Sequence, residues 1–332
     1  MRFFYYVINM FKRVINECHY ITNDDTIIIY PYNKKETDYN ISIYHKKLMF
    51  SDREIELGIF DTYSYNNIQK LIIHNSKFNQ PILNLLHNLI NLTEITLGHH
   101  FSQPLSNSLD NLTNLTMITF GYEFNMSLSN SLDKLTKLTQ ITFGYKFNKS
   151  LDNSLNKLIN LKYLIFSDYF DQALTNSLNK LINLTHLTFG YSFNHPLSNS
   201  LYYLTKLEHL TLGHKFDQEL NLSPSIKILT LNCNNQNLVD NLPNSVEQLN
   251  LDHDFRFPLL DNLPSSIKKM LLLSSSSYNE PLNNLPRSLE ELELPRIYKL
   301  KIKNIPPRLK KIICSKSYEF IDDFTGLEIL YH

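Results

Sequence analysis

Residues 101–123 read FSQPLSNSLDNLTNLTMITFGYE, and residues 124–146 read FNMSLSNSLDKLTKLTQITFGYK. Two stretches so alike, set end to end, are copies of one structural unit, and a period of this size is the mark of a repeat architecture. Working outward in both directions, the leading aromatic recurs at Phe78, Phe101, Phe124, Phe147, Phe170, Phe193 and Phe216, each 23 residues after the last. Past Phe216 the frame shortens. Asn234, Phe255, Tyr278, Tyr298 and Tyr318 are read at the aromatic position, at intervals of 18 to 23 residues. The phrase NSLDNLTNL gives way there to Asn241-Leu242-Pro243-Asn244-Ser245, Asn262-Leu263-Pro264-Ser265-Ser266 and Asn284-Leu285-Pro286-Arg287-Ser288.

Within a unit the apolar spacing dictates local structure. Leu109, Leu112 and Leu115 fall three apart, which suits a helical or 3₁₀ turn, whereas Leu115, Ile118 and Phe120 end in the period of two that marks a strand. Five of the seven glycines (Gly98, Gly121, Gly144, Gly190 and Gly213) directly follow that strand, which predicts a tight turn there, with positive φ as the expected reason. One unit cannot bury its own apolar stripe, so units must stack. The predicted fold is an α/β-type repeat solenoid, with a leucine-rich-repeat-like parallel β-sheet and short helical or irregular outer turns. A small N-terminal α+β cap precedes it. Eleven or twelve coils spaced by about 4.8 Å would extend about 50 Å.

Several columns together carry a family resemblance. Phe78-Asn79-Gln80-Pro81, Phe120-Gly121-Tyr122 and the later Asn-Leu-Pro-x-Ser phrases resemble FNIP repeats, a branch of the leucine-rich repeat superfamily, over about residues 78–318. The resemblance implies an interaction scaffold of a kind found in amoebae and large DNA viruses, and the abundant Asn, Ile, Lys and Tyr fit an AT-rich genome. Departures are Met126-Ser127 and Lys149-Ser150 in place of Gln-Pro, Asn234 in place of Phe, and an Asn ladder that is not at the offset usual in leucine-rich repeats.

An open solenoid exposes core at its ends and needs caps. Residues 1–55 are read as an N-terminal cap or appended module: Phe3 to Tyr20 has helical spacing, and Thr26 to Tyr30, Ile41 to Tyr44 and, just beyond, Glu54 to Phe60 read as strands. The solenoid is assigned to residues 56–332. Ile68, Leu71 and Ile73 give a degenerate first coil at 56–77, the 23-residue repeats occupy 78–215, shorter repeats 216–317, and a C-terminal cap with a closing strand at Gly326 to Leu330 covers 318–332. The apolar start MRFFYYVINM is followed by Lys12 and Arg13 without a small-residue cleavage site, so a core helix is preferred to a signal peptide. No apolar run has the length of a membrane span, and a cytoplasmic location, in the host cell if the protein is viral, is expected.

Composition excludes other classes. Lys plus Arg and Asp plus Glu are both 32, so the chain lacks the basic excess of a general nucleic-acid binder, and neither nucleic acid nor membrane is expected as a partner. Cys18, Cys233 and Cys314 are odd in number and far apart, and they are read as reduced thiols. Among the 12 histidines, His186 and His209 share an outward strand position about 5 Å apart, yet no carboxylate or thiolate converges on them, so no metal or other cofactor is expected. His99-His100 is read as a turn pair. Without a fixed Cys–His pair or a phosphate-cradling glycine motif, no catalytic residue is assigned and the chain is read as a non-enzyme. Ser106-Asn107-Ser108 and its copies are read as caps of the outer turn.

What remains is surface. Outward positions between buried columns line the face expected to be concave: Glu94, Met117, Gln140, Tyr163, His186 and His209 in one column, Thr96, Thr119, Thr142, Ile165, Thr188 and Thr211 in the next. Tyr122, Tyr145, Asp168, Tyr191 and His214 follow the strands as a rim. Tyr and His supply area and hydrogen bonds at small entropic cost. Met117, Gln140, Tyr163, His186, His209, Tyr122, Tyr145 and Tyr191 are therefore the candidate binding residues for an unknown protein partner. The alternative implied by the resemblance is a ubiquitin-ligase substrate receptor, with residues 1–55 as a divergent F-box-like module that docks a ligase adaptor. The early Leu-Pro and helical run typical of that box are not visible here.

Overall fold

A computed structural model of the protein describes residues 26–29, 47–51, 68–74, 78–252, 255–259 and 263–332. Among the described residues, fifteen short strands follow one another through a single sheet. They are β1 (Thr26–Ile29), β2 (Lys47–Ser51), β3 (Lys70–His74), β4 (Glu94–Thr96), β5 (Met117–Thr119), β6 (Gln140–Thr142), β7 (Tyr163–Ile165), β8 (His186–Thr188), β9 (His209–Leu212), β10 (Ile228–Leu231), β11 (Gln248–Leu251), β12 (Lys269–Leu272), β13 (Glu291–Glu293), β14 (Lys311–Cys314) and β15 (Glu328–Tyr331). Each pairs in parallel with the next. Parallel neighbours in chain order require the chain to travel round and return between strands, so each link is one coil of a solenoid. This is the leucine-rich-repeat-like architecture that the repeat predicts. The strands outnumber the expected eleven or twelve coils because β1, β2 and β3 precede the first leading aromatic, Phe78, and pair on to β4. The helix read at Phe3 to Tyr20 and the strands read at Ile41 to Tyr44 and Glu54 to Phe60 lie outside the described residues.

In the three-residue strands one residue, such as Ile118 in β5, is committed to the core while Met117 and Thr119 face outward, and four-residue strands such as β9 add a second, Leu212. Opposite the sheet, the 23-residue coils close through successive i→i+3 backbone bonds, Leu112 N to Leu109 O and Leu115 N to Leu112 O, both 2.9 Å. The Leu column at three-residue spacing thus makes 3₁₀-type turns, and regular α-helix is confined to α1 (Leu83–His87), α2 (Ser198–Leu201) and α3 (Gln236–Asp240) among the described residues. In the shorter coils without a helix one such bond is made, as from Leu289 N to Pro286 O at 3.0 Å, where Asn-Leu-Pro-x-Ser replaces the longer phrase. The serine of that turn also ties neighbouring coils together. Ser225, Ser266 and Ser288 donate to Leu207 O, Val246 O and Ile267 O of the preceding coil at 2.8, 2.7 and 2.7 Å.

The phenylalanines from Phe78 to Phe216 form one buried stack, ring to ring at 6.0 to 6.3 Å. Phe120, Phe143, Phe166 and Phe189 make a second at 5.2 to 5.5 Å. The residue after each leading Phe builds a ladder between coils. Asn79 Oδ1 accepts from Ser102 N, Ser102 Oγ from Asn125 N, Asn125 Oδ1 from Asn148 N, Asn148 Oδ1 from Asp171 N, Asp171 Oδ1 from Asn194 N and Asn194 Oδ1 from Asp217 N, at 2.9 to 3.2 Å. Asn, Asp and Ser share a short side-chain acceptor, and that is what the Phe-Asn phrase selects.

Three details correct the sequence reading. At the position read as Asn234 in place of Phe, it is Cys233 that is buried in the core; Asn234 stands at the ladder position and accepts from Arg256 N at 3.1 Å. The post-strand glycines do not have positive φ, which among described glycines belongs to Gly326. Their reason is contact: a Cβ on Gly121 or Gly144 would lie 1.7 Å from the carbonyl oxygen of Gly98 or Gly121 in the coil before. The left-handed residues are instead Asn107, Asn130 and Asn153, with φ of 62°, 62° and 60°, a conformation Asn tolerates. The following Ser108, Ser131 and Ser154 are buried rather than capping a helix.

Candidate partner-binding face

Strand register sets one outward column as Glu94, Met117, Gln140, Tyr163, His186 and His209, one residue per coil, and places Thr96, Thr119, Thr142, Ile165, Thr188 and Thr211 beside it. Met117 and Gln140 are half-buried and take no part in a ring stack. The next three do. Tyr163 lies over His186 at 4.3 Å between ring centres, and His186 over His209 at 3.9 Å and 20°, closer than the coil spacing suggested. Thr185 Oγ1 is 2.8 Å from His186 Nδ1. Burial pushes both imidazoles below the ordinary histidine range, and His209 lowers His186 further, so the pair favours the neutral form.

The rim forms two further stacks. His99 lies on Tyr122 at 4.6 Å and Tyr122 on Tyr145 at 4.7 Å; Tyr191 lies on His214 at 4.5 Å. Asp168 interrupts the series and accepts from Tyr191 N at 3.3 Å, while the adjacent Tyr169 meets Tyr145 edge-on. Lys146 Nζ sits 5.8 Å from the Tyr122 ring centre and Lys215 Nζ 5.7 Å from that of Tyr191, within cation–π range. Lys146 also meets Glu123 at 3.0 Å, and its hydrogen bond, with that of His100, holds the Glu123 carboxyl below its usual range. His99 is pushed down by burial and by His100.

The eight candidate residues therefore do not form one cluster. Tyr163, His186 and His209 are one stack, Tyr122 and Tyr145 belong to a second, and Tyr191 to a third. Sequence reasoning misses His99 and Tyr169. His99 is legible, since it precedes Tyr122 by one repeat, but the neighbouring His100 makes it read as half of a turn pair.

A different chemistry continues below β9. Glu208–Lys227, Glu247–Lys268 and Glu290–Lys310 pair between coils at 2.6, 2.8 and 2.6 Å just before the strands, and Glu291 joins Lys269 and Lys311 on β12 to β14 at 3.1 and 3.6 Å. Where the coils shorten, Thr205, Lys206, Glu208, Ser225, Lys227 and Glu247 line part of an open groove of about 570 Å³. No group of three or more His, Cys, Asp or Glu among the described residues is arranged to hold a metal ion. Cys233 is buried, and desolvation pushes its thiol up to about 12, far from a thiolate at neutral pH. No helix among the described residues is long and apolar enough to cross a membrane.

No family model and no curated protein matches the sequence. Solved structures do. The circular leucine-rich-repeat protein CroV588 superposes with a TM-score of 0.64 at 26% identity, over 87% of this chain and 43% of its own. An internalin (inlF) from Listeria monocytogenes gives 0.55 at 18% over 80% of both chains. TLR13, in its complex with ssRNA13, gives 0.62 at 14% over 86% of this chain and 46% of that one. The chain thus spans less than half the length of CroV588 and TLR13, and its structural neighbours include leucine-rich-repeat proteins.

Proposed function

We propose that the protein is a non-enzymatic interaction scaffold that binds a protein partner across the outer face of its sheet, centred on Tyr163, His186 and His209. The observation that carries the reading is the ordering of these rings. Stacked on neighbours and anchored to consecutive strands, they have little rotamer freedom left to lose on binding, which is the usual cost of using aromatic contacts. One neighbour supports it by analogy, Toll in a complex with Spatzle, whereas another, TLR13, is in a complex with ssRNA13. The RNA complex shows that this fold does not by itself exclude nucleic acid. A protein is favoured here because the net charge is zero and the lysines of β12 and β14 are paired with Glu291.

The closer assignment belongs to the same proposal: an FNIP-type repeat protein of viral or amoebal kind, working in the cytoplasm. So does the division into a cap at 1–55 and an array at 56–332. Within residues 1–55 the described elements are β1 and β2, both strands of the array's own sheet, which favours a cap over a ligase-docking module. The test is proximity labelling in the native cell, followed by pulldown of the labelled partners with wild type and with Tyr163→Ala plus His186→Ala. Loss of recovery from a folded variant is expected. Unchanged recovery would remove this face from contention.

A further inference from the structure

The outer turns of three consecutive 23-residue coils present a lysine at one repeat position, Lys134, Lys157 and Lys180, each exposed. The same position carries Asn111 in the coil before and Tyr203 in the coil after. Among the described residues, none of the three ammonium groups has a hydrogen-bond or ion-pair partner. Lys137 and Lys206 differ, donating to Asn114 Oδ1 and Asn183 Oδ1 of the preceding coil at 2.8 and 2.7 Å. Like charges one coil apart, at about 5 Å, repel, and among the described residues no direct ion pair relieves them.

Two residues further round the turn, past the buried Leu158 and Leu181, stand Ile159 and Ile182, 50% and 52% exposed. Tyr202 and Tyr203 of the next coil are 77% and 50% exposed and pack edge to face at 5.1 Å. Cationic and apolar side chains therefore alternate on a ridge that lies on the side of the coils away from the sheet. Aliphatic side chains offer nothing to a phosphate backbone, whose recognition rests on charge and hydrogen bonds. An acidic segment with apolar side chains satisfies both parts of the ridge at once.

We propose that this ridge is a second interaction surface, distinct from the sheet face, which takes an acidic peptide segment of a partner protein. Its carboxylates meet Lys134, Lys157 and Lys180, and its apolar side chains cover Ile159, Ile182 and Tyr203. The test is selection of a phage-displayed random 16-residue peptide library on the full chain, with binding of the enriched peptides measured on variants. Enriched peptides should be rich in Asp or Glu interleaved with apolar residues. Their affinity should fall at least tenfold with Lys134→Gln, Lys157→Gln and Lys180→Gln together, and about fivefold with Ile159→Ser plus Ile182→Ser, while Tyr163→Ala plus His186→Ala leaves it unchanged. Enrichment of peptides without acidic residues, no enrichment at all, or equal binding to the lysine variant would overturn the proposal. Lysine-dependent binding of a single-stranded RNA 20-mer or of phosphatidylserine vesicles, with no such peptides, would overturn it too and assign the ridge to nucleic acid or to membrane.

Discussion

The 23-residue coils that carry β4 to β9 and the shorter coils that carry β10 to β15 share one sheet and one core, but neighbouring coils are held together differently in the two halves. In the long coils the cohesion lies in close backbone approach at glycines and two phenylalanine stacks, beside a side-chain ladder after each leading Phe that continues into the short coils at Asn234 and Asn279. In the short coils tyrosine takes the aromatic position at Tyr278, Tyr298 and Tyr318, serine hydroxyls bridge to the preceding coil, and Lys–Glu pairs run along the strand entrance. A regular period allows identical residues to meet, so stacks and glycine contacts propagate. Once the interval varies, as between the 19 residues of Glu208–Lys227 and the 21 of Glu247–Lys268, flexible polar links that tolerate a shifted turn take over.

The sharpest way to break the comparison is at the glycines. Gly144→Val would place a Cβ 1.7 Å from Gly121 O, a backbone atom that cannot step aside, so a loss of about 3 kcal/mol or more is expected, seen as an early unfolding transition in urea. Gly326→Ala in the C-terminal segment meets nothing within 4 Å and strains only φ, at 86°, so it should cost about 1 kcal/mol. If both cost the same, close approach is not what the long coils depend on.

Next in size is the aromatic column. Phe147→Ala empties a fully buried ring site between Phe124 and Phe170 and should cost about 3 to 5 kcal/mol in equilibrium unfolding. Tyr298→Phe keeps the ring but removes a hydroxyl that accepts from Leu282 N at 3.2 Å and donates to Glu280 O at 3.3 Å, for about 1 kcal/mol. The ladder should fall between: Asn148→Ala removes the acceptor of Asp171 N and of Gln172 Nε2, for about 1 to 3 kcal/mol, with faster amide exchange at residue 171 as its local signature.

These contacts are unequally legible in the sequence. The Phe column and the outward Tyr163, His186 and His209 column can be placed because an unvarying period fixes which residues meet across coils. The amide ladder cannot, because its members, Asn79, Ser102, Asn125 and Asp171, differ in letter and share only an acceptor oxygen. The glycines stand out at the right position for the wrong reason: scarcity shows that a Cβ is excluded, but only the fold shows that a neighbour's carbonyl excludes it. Cys233 and Asn234 are misframed by one residue where the period changes, since a variable interval leaves the register open. The Lys–Glu pairs escape for the same reason, and β1 and β2 because they precede the repeat.

Titration separates the halves most finely. His99, His186 and His209 all sit in the long coils with their ionisation pushed below the ordinary histidine value of about 6.5. The unfolded chain then takes up protons at a pH where the folded one does not, so stability falls as pH drops below about 6.5, and goes on falling until the folded histidines titrate. In the short coils Glu247 and Glu290, and at their junction with the long coils Glu208, are pushed down chiefly by hydrogen bonds from Lys268, Lys310 and Lys227. Their contribution is present above the unfolded carboxylate value of about 4.3, is lost only as pH falls through the lowered folded values, and is small because the pairs are exposed. Amide exchange followed from pH 7.5 to 5 should therefore show loss of protection around β8 and β9 while β11 to β14 hold theirs, once the intrinsic pH dependence of exchange is removed. His186→Gln plus His209→Gln should flatten most of that response. Equal loss in both halves over this window, or a response that survives the double variant, would mean that the stacked imidazoles are not its source.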